Sequence, residues 1–256
     1  MSAPPLTWLY VPADRLDRVE KAIASRAHAV IVDLEDGVAP ANKDAARANL
    51  ASLPDDPGKP LYVRVNAGND DDLAAAGDRP VIVPKVESAD DVPRANVIAL
   101  IETALGVERA FEIAQHAHVV GLGLGEADLR SQTGAREEGL DWARARVVNA
   151  AVAAGLPRPP QSVYPHVRDL QGLAVSSRHG RDVGHLGRTA IHPGQLETIE
   201  QAYLPDRFEV EEARETIARL EAGGVGTVGD GVFVDRAMLG AAQLVVELAD
   251  AYGTAE

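Results

Sequence analysis

Eight short apolar runs, all but one ending on a polar tip or a proline, constrain this chain more than any other feature. They are TWLYVP (7–12), AVIVDLE (29–35), LYVRVN (61–66), VIVPK (81–85), VIALIE (97–102), VVGLGL (119–124), QSVYP (161–165) and TAIHP (189–193). The runs are near-continuously apolar rather than alternating, which predicts strands covered on both faces. Helical patterns such as DRLDRVEKAIAS and VERAFEIAQHA lie between most of them. Eight strands with helical crossovers predict an α/β fold, a (β/α)8 TIM barrel, over residues 1–204. A doubly wound open sheet is the alternative. The connections at 67–80 and 86–96 leave room for stubby helices alone. Residues 205–256 are too long to be the eighth barrel helix. They predict a C-terminal helical extension that folds over its own barrel or reaches a neighbouring subunit.

Composition narrows the chemistry. At 256 residues the chain suits one large domain, and α/β barrels commonly run to this length. A formal net charge of −14 weighs against nucleic acid as a partner. An anionic substrate would need a local group of positive charges or a cation. The sequence has no cysteine, which excludes disulfides, thiolate metal sites and a cysteine nucleophile. The opening MSAPPLTWLY lacks the basic start and apolar core of a signal peptide. No uncharged apolar run approaches about 18 residues, so no membrane span is expected. A cytoplasmic location is the expectation.

In a barrel, residues at the C-terminal strand ends gather around the active site. Here those ends carry Glu35 and Asp36, then Arg64 and Asn66, Lys85, Glu102, the GLGEADL loop with Asp128, and His192. Glu102 and Asp128 follow adjacent strands, which would bring two like charges close together unless a proton or cation is shared. Oxygen donors without thiols favour a hard cation such as Mg²⁺. The competing expectation pairs Glu102 with Arg64 or Lys85 and leaves Asp128 capping a helix. Arg64 points inward by strand alternation, either to hold a substrate carboxylate through a two-pronged bond or to balance Glu35 or Glu102. Glu35 and Asp36 are open to the same two roles. Lys85 raises a Schiff-base lysine as a rival chemistry, with nothing to mark it out from a counter-ion. GVGTVG (224–229) matches a dinucleotide fingerprint but follows a helical segment rather than a strand, so its context fails. His192, before Pro193, is expected to be a structural hydrogen-bonder.

The ordered set LYVPADR (9–15), VIVDLEDGV (30–38) with Lys43, VRVN (63–66), PKVES (84–88), IETALG (101–106), GLGEADL (123–129), AIHPGQ (190–195) and GVFVD (231–235) resembles the citrate lyase beta-subunit-like family of the HpcH/HpaI aldolase superfamily. The resemblance covers nearly the whole chain. It implies a Mg²⁺-dependent barrel that makes or breaks carbon–carbon bonds beside a thioester. On that basis Glu102 and Asp128 would be the metal ligands, and Arg64 would bind the carboxylate of a 2-oxo acid. Backbone N–H groups at Gly125, Glu126 and Ala127 would help hold it, with Glu35, Asp36 and Lys85 in support. Asp235 would be the acid/base residue, delivered by the C-terminal segment to a neighbouring subunit's barrel. A homotrimer or a multiple of one is implied.

The implied activity is a lyase cleaving a citramalyl-, malyl- or 3-hydroxy-3-methylglutaryl-type acyl-CoA into acetyl-CoA and a keto acid. The alternatives are a citrate lyase subunit acting on a carrier-protein thioester, an aldolase of free 2-oxo acids, and a non-catalytic binding barrel. Many relatives begin with Arg-Ser, read Pro-Gly after the first strand and carry Gly-Lys before the IHP motif. This chain has Leu6-Thr7-Trp8, Pro12-Ala13 and Gly187-Arg188.

Overall fold

β2 (Ala29–Asp33) and β5 (Val97–Ile101) are buried at every position, as strands covered on both faces must be. With β1 (Thr7–Pro12), β3 (Leu61–Arg64), β4 (Val81–Val83), β6 (Val119–Leu124) and β7 (Arg188–Ala190) they form one parallel sheet. The computed structural model describes residues 4–54, 56–94, 96–222, 226–228 and 232–253. The strand order is β6-β5-β4-β3-β2-β1-β7. From β1 to β6 each strand pairs with the next, and β1 also pairs with β7. That is the ring order of a barrel; an open doubly wound sheet would reverse direction at a switch point. The fold is a (β/α)8 barrel with additional helices at its C-terminal end.

The helices between the strands are α1 (Leu16–Ile23), α2 (Lys43–Leu50), α3 (Asp70–Ala76), α4 (Ala104–Glu108), α5 (Ala110–Ala114), α6 (Glu126–Thr133), α7 (Asp141–Ala153) and α8 (Leu170–Val183). As the short connections predict, α3 has seven residues, and the link after β4 holds a single 3₁₀ turn, Ala89–Asp91. Among the described residues no helix is long and apolar enough to cross a membrane.

One strand differs from expectation. QSVYP does not form a ladder: Gln161 alone makes an isolated parallel bridge to Arg188. Pro159, Pro160 and Pro165 flank the segment and lack the N–H a ladder needs. The backbone of Gln161 still donates to Gly187 O (2.8 Å) and accepts from Thr189 N (2.9 Å). Its side chain does the rest, donating from Nε2 to Ser176 O (3.0 Å) and accepting from Arg188 (3.0 Å). Arg188 is buried and also reaches Ser176 and Ser177. The change from Lys to Arg before the IHP motif therefore serves the seventh stave of the barrel rather than its rim.

The chain divides into two compact units, Pro5–Ala202 and Met1–Pro4 with Tyr203–Glu256. The first holds the barrel and most of α9 (Leu196–Tyr203). In the second, α10 (Arg207–Glu221) packs on α11 (Leu239–Tyr252), with Arg214 bridging Asp250 at 3.2 Å. Asp206 caps α10 in a reciprocal box with Glu209. Tyr252 donates its hydroxyl to Pro4 O (2.7 Å). The extension is not purely helical: Gly226–Val228 and Val232–Val234 pair antiparallel as β8 and β9. The Val, Thr and Phe in these runs suit a strand better than a helix.

Gly180, inside α8, lies where Gln161 is pinned. An added Cβ would stand 2.2 Å from Gln161 Oε1 and 2.3 Å from its Cδ. Glycine to alanine in an exposed helix normally gains about 1 kcal/mol. Here Gly180→Ala is expected to lose about 1–3 kcal/mol in urea denaturation, because the clash displaces the side chain that holds the seventh stave. A gain in stability would show that Gln161 is not fixed there.

Candidate active site

The C-terminal rim is built by strand register. Asp33 and Arg64 are direct partners on β2 and β3. Arg64 donates from Nε to Asp33 Oδ1 (2.7 Å) and from its second terminal nitrogen to Oδ2 (2.6 Å). The remaining terminal nitrogen reaches Glu35 Oε2 at 2.9 Å, and the guanidinium lies over the Tyr10 ring at 4.9 Å. The two-pronged bond expected for a substrate thus goes to Asp33, a residue the sequence reading passed over. A guanidinium has five N–H donors, and three are committed here. One N–H on each terminal nitrogen stays available. Burial opposes the charge of Arg64, but the bonds and charge of Asp33 more than offset it and hold the group firmly protonated.

Glu35 is buried between two cations, with Lys85 Nζ at 3.2 Å on its other oxygen. It is absent from the cavity wall, so it acts as a counter-ion. Lys43 pins the turn that presents it, bonding Leu34 O, Glu35 O and Asn66 Oδ1. Asn66 faces away from the rim, with its backbone N–H and side-chain amide on the fully buried Asp72. Burial lowers the affinity of Lys85 for its proton, but the Glu35 bond and the charges of Glu35, Glu102 and Asp128 outweigh this and raise its pKa. A lysine held protonated is a poor Schiff-base nucleophile.

Glu102 follows β5 directly and is 2% exposed. Its Oε1 accepts the backbone N–H of Lys85 (3.0 Å), a residue held at φ 57° just after Pro84. Neither Arg64 nor Lys85 makes a salt bridge to it, so the counter-ion alternative is not realised. Its Oε2 packs where β6 offers no side chain: a Cβ on Gly125 would stand 2.3 Å away. Burial, then Glu35, then Asp128, push its carboxyl up to about 7. Asp128 sits exposed on the first turn of α6. Among the described residues Asp36, Glu102 and Asp128 have no salt-bridge partner, and all three line a cavity of about 400 Å³. Arg64, Asp33 and Tyr10 line it too, above a floor that includes Ile98 and Leu100.

The backbone donors fall out differently from expectation. Gly125 N–H is taken by Ile101 O (2.8 Å), as the last bond between β5 and β6, so it cannot serve a ligand. Glu126 N–H makes a long bond to Ser162 Oγ (3.4 Å). Ala127, at the second position of α6, has no carbonyl four residues back within the helix. The Glu126 side chain is turned away from any substrate and onto Arg144, with bonds of 2.8 and 2.7 Å. His192 accepts Gly194 N–H (3.0 Å) and caps a 3₁₀ turn, the structural role expected of it. Asp235 lies in the C-terminal unit, where its Oδ1 accepts Ala237 N–H (2.9 Å) at the start of another 3₁₀ turn.

Among the described residues no three acidic or histidine side chains converge to hold an ion. Two carboxylates on the cavity, Glu102 and Asp128, nevertheless fit a hard divalent cation. Such an ion is commonly bound through one or two carboxylates, with water or substrate completing the shell. A cation there would also oppose the burial and the neighbouring charges of Glu35 and Asp128 that raise the pKa of Glu102.

The raised pKa of Glu102 has a consequence of definite sign for stability. Below about pH 4.5 Glu102 is protonated whether folded or unfolded, and above about 7 it is ionised in both. Between these limits the folded state keeps a proton that the unfolded chain releases, so stability falls as pH rises. In EDTA, this group is expected to cost the protein about 3 kcal/mol across that window. Urea denaturation of Glu102→Gln should show a correspondingly flatter pH profile. Identical profiles would place Glu102 in a solvated or paired setting instead.

Residues 6–193 match the model of the HpcH/HpaI aldolase/citrate lyase family. A citrate lyase subunit beta-like protein of Mycobacterium tuberculosis is 36% identical over 262 residues, covering 94% of both chains. A (3S)-malyl-CoA thioesterase of Cereibacter sphaeroides is 35% identical, covering 95% of this chain and 94% of its own. The crystal structure of CitE from Mycobacterium tuberculosis, in complex with magnesium, acetoacetate and coenzyme A, superposes with a TM-score of 0.86 at 35% identity. It covers 98% of this chain and 100% of its own. This chain belongs to the HpcH/HpaI aldolase/citrate lyase family and is a lyase of its citrate lyase beta-subunit-like kind.

Proposed function

We propose that the protein is a Mg²⁺-dependent carbon–carbon lyase that cleaves a 3-hydroxyacyl-CoA into acetyl-CoA and a keto acid, working in the cytoplasm. The substrate would be of the citramalyl-, malyl- or 3-hydroxy-3-methylglutaryl-CoA type. The observation that carries this is the pair of carboxylates without a salt bridge among the described residues, Glu102 and Asp128, on one cavity beside an arginine with free donors. The relative solved with magnesium, acetoacetate and coenzyme A supports it, because those are a metal, a keto acid and a thioester's carrier group together.

In this proposal Glu102 and Asp128 hold the cation, with Lys85 N–H fixing one Glu102 oxygen. When bound, the cation polarises the keto acid carbonyl and stabilises the alkoxide that precedes it. Arg64 binds the keto acid carboxylate with the two N–H groups that Asp33 and Glu35 leave free. Ala127 N–H adds a donor at the first turn of α6. In cleavage the C3 hydroxyl proton passes to solvent water, the O–H electron pair becomes the keto acid C=O, and the C2–C3 bond breaks with its electron pair left on C2 of the thioester as an enolate.

Protonation of C2 then gives acetyl-CoA, and Asp235 is the residue proposed to supply that proton. Its Oδ1 is occupied by Ala237 N–H, leaving Oδ2 for the transfer. Asp235 would reach the site from the C-terminal segment, residues 205–256, of a neighbouring copy in a homotrimer or a multiple of one. Loss of such an acid typically costs on the order of 10²–10⁴-fold in rate.

The test is product analysis on a panel of 3-hydroxyacyl-CoA thioesters, with Mg²⁺ or EDTA. Acetyl-CoA and a keto acid are expected with Mg²⁺ alone, and Glu102→Ala or Asp128→Ala should lower the rate by at least about 100-fold. Free CoA with an intact hydroxy acid would show thioester hydrolysis instead. Cleavage confined to a carrier-protein thioester, or to free hydroxy acids, would replace the proposal with a citrate lyase subunit or a 2-oxo acid aldolase.

A further inference from the structure

Asp128 takes its place from where α6 begins, and α6 begins on an ion-pair network that the proposed chemistry does not use. At its centre is Arg144 on α7, 1% exposed and among the largest fully buried side chains. Its Nε and one terminal nitrogen fork onto both oxygens of Glu126, the first residue of α6, at 2.8 and 2.7 Å. That terminal nitrogen also bonds Glu137 Oε1 at 2.5 Å. The other reaches Asp141 Oδ1 (2.9 Å) and Glu137 O (3.3 Å). All five guanidinium donors are thus committed. They tie three pieces of chain together: the start of α6, the 3₁₀ turn Glu137–Leu140 and the start of α7.

We propose that Arg144 is a positioning residue for the cation site: its fork on Glu126 sets the rotation of α6's first turn, and with it the direction of Asp128. This rests on Glu102 and Asp128 being the cation's ligands. Glu126 lies two residues before Asp128 in the same turn, so the two side chains leave the helix in different directions. One faces Arg144 and is buried; the other is exposed on the cavity wall. A rotation of the turn that loosened the fork would swing Asp128 away from Glu102, which is itself fixed by Lys85 N–H and Gly125. Arg130 adds a weaker brace, bonding Glu137 and approaching Glu126 at 3.5 Å.

The test is Mn²⁺ binding to the full chain, followed by the EPR signal of free Mn²⁺, with melting temperature measured in parallel. Arg144→Lys keeps a positive charge but cannot supply a planar fork and three further donors. Its Mn²⁺ Kd is expected to rise by 10- to 100-fold, as when groups that orient metal ligands are removed. The double variant Arg144→Met with Glu126→Leu removes both charges and refills their volume, which should hold the melting temperature near that of the wild type. Its Mn²⁺ Kd should remain raised. Either folded variant binding Mn²⁺ as tightly as the wild type would overturn the inference, leaving the network with a purely structural role. Failure of the wild type itself to bind Mn²⁺ would overturn the cation site and this inference together.

Discussion

The Asp33–Arg64 fork is the interaction on which the rim depends. Five carboxylates, Asp33, Glu35, Asp36, Glu102 and Asp128, crowd the C-terminal ends of β2, β5 and β6. Such crowding is tolerable only where cations offset it. The fork neutralises Asp33, and the same guanidinium shares Glu35 with Lys85. The charge left over lies on Asp36, Glu102 and Asp128, all on the cavity wall. The barrel thus divides its carboxylates into a balanced pair, Asp33 and Glu35, and an unbalanced set, Asp36, Glu102 and Asp128. Breaking a buried pair such as the fork typically costs about 3–5 kcal/mol, so the unbalanced set stands on a stiff base.

Glycine makes the unbalanced set possible. A carboxylate as buried as Glu102 needs room at the end of two tightly paired strands, and β6 supplies it by presenting no side chain at Gly125. At Gly123 a Cβ would stand 3.1 Å from Leu100, so the same relief continues one rung down. The cavity floor and the seat of Glu102 both come from the alternating glycines of VVGLGLG. The close approach of Glu102 to Gly125 also explains why the helix after β6 must begin at once: the strand ladder closes on Gly125 N–H, and Glu126 opens α6.

Much of this was legible in the sequence. Apolar runs placed all seven strands of the parallel sheet to within a few residues, and the polar tips named Glu102, Asp128 and Arg64 together. QSVYP was misleading because composition alone cannot show that a proline-flanked segment will pair through one residue and a side chain. Asp33 was missed because it looks like part of the strand it ends, although its inward parity with Ile31 and Glu35 was a usable signal. Arg144 was missed for a different reason. Its partners lie at 126, 137 and 141, and nothing local tells a buried arginine from a solvated one on an Ala- and Val-rich helix, apart from its sharing a face with Val147 and Val148. Backbone commitments such as that of Gly125 N–H are set by strand register, which residue types do not specify.

The proposed cation site joins Glu102 and Asp128 beside Arg64. The most direct measurement is a crystal structure of the protein grown with Mn²⁺ and a 2-oxo acid, with the ion located by its anomalous scattering. A single strong peak bonded to both carboxylates at about 2.0–2.2 Å is expected, with the acid's carboxylate against the free N–H groups of Arg64. A strong peak elsewhere would contradict it. So would a 2-oxo acid seated in the cavity with Glu102 protonated and no ion beside it.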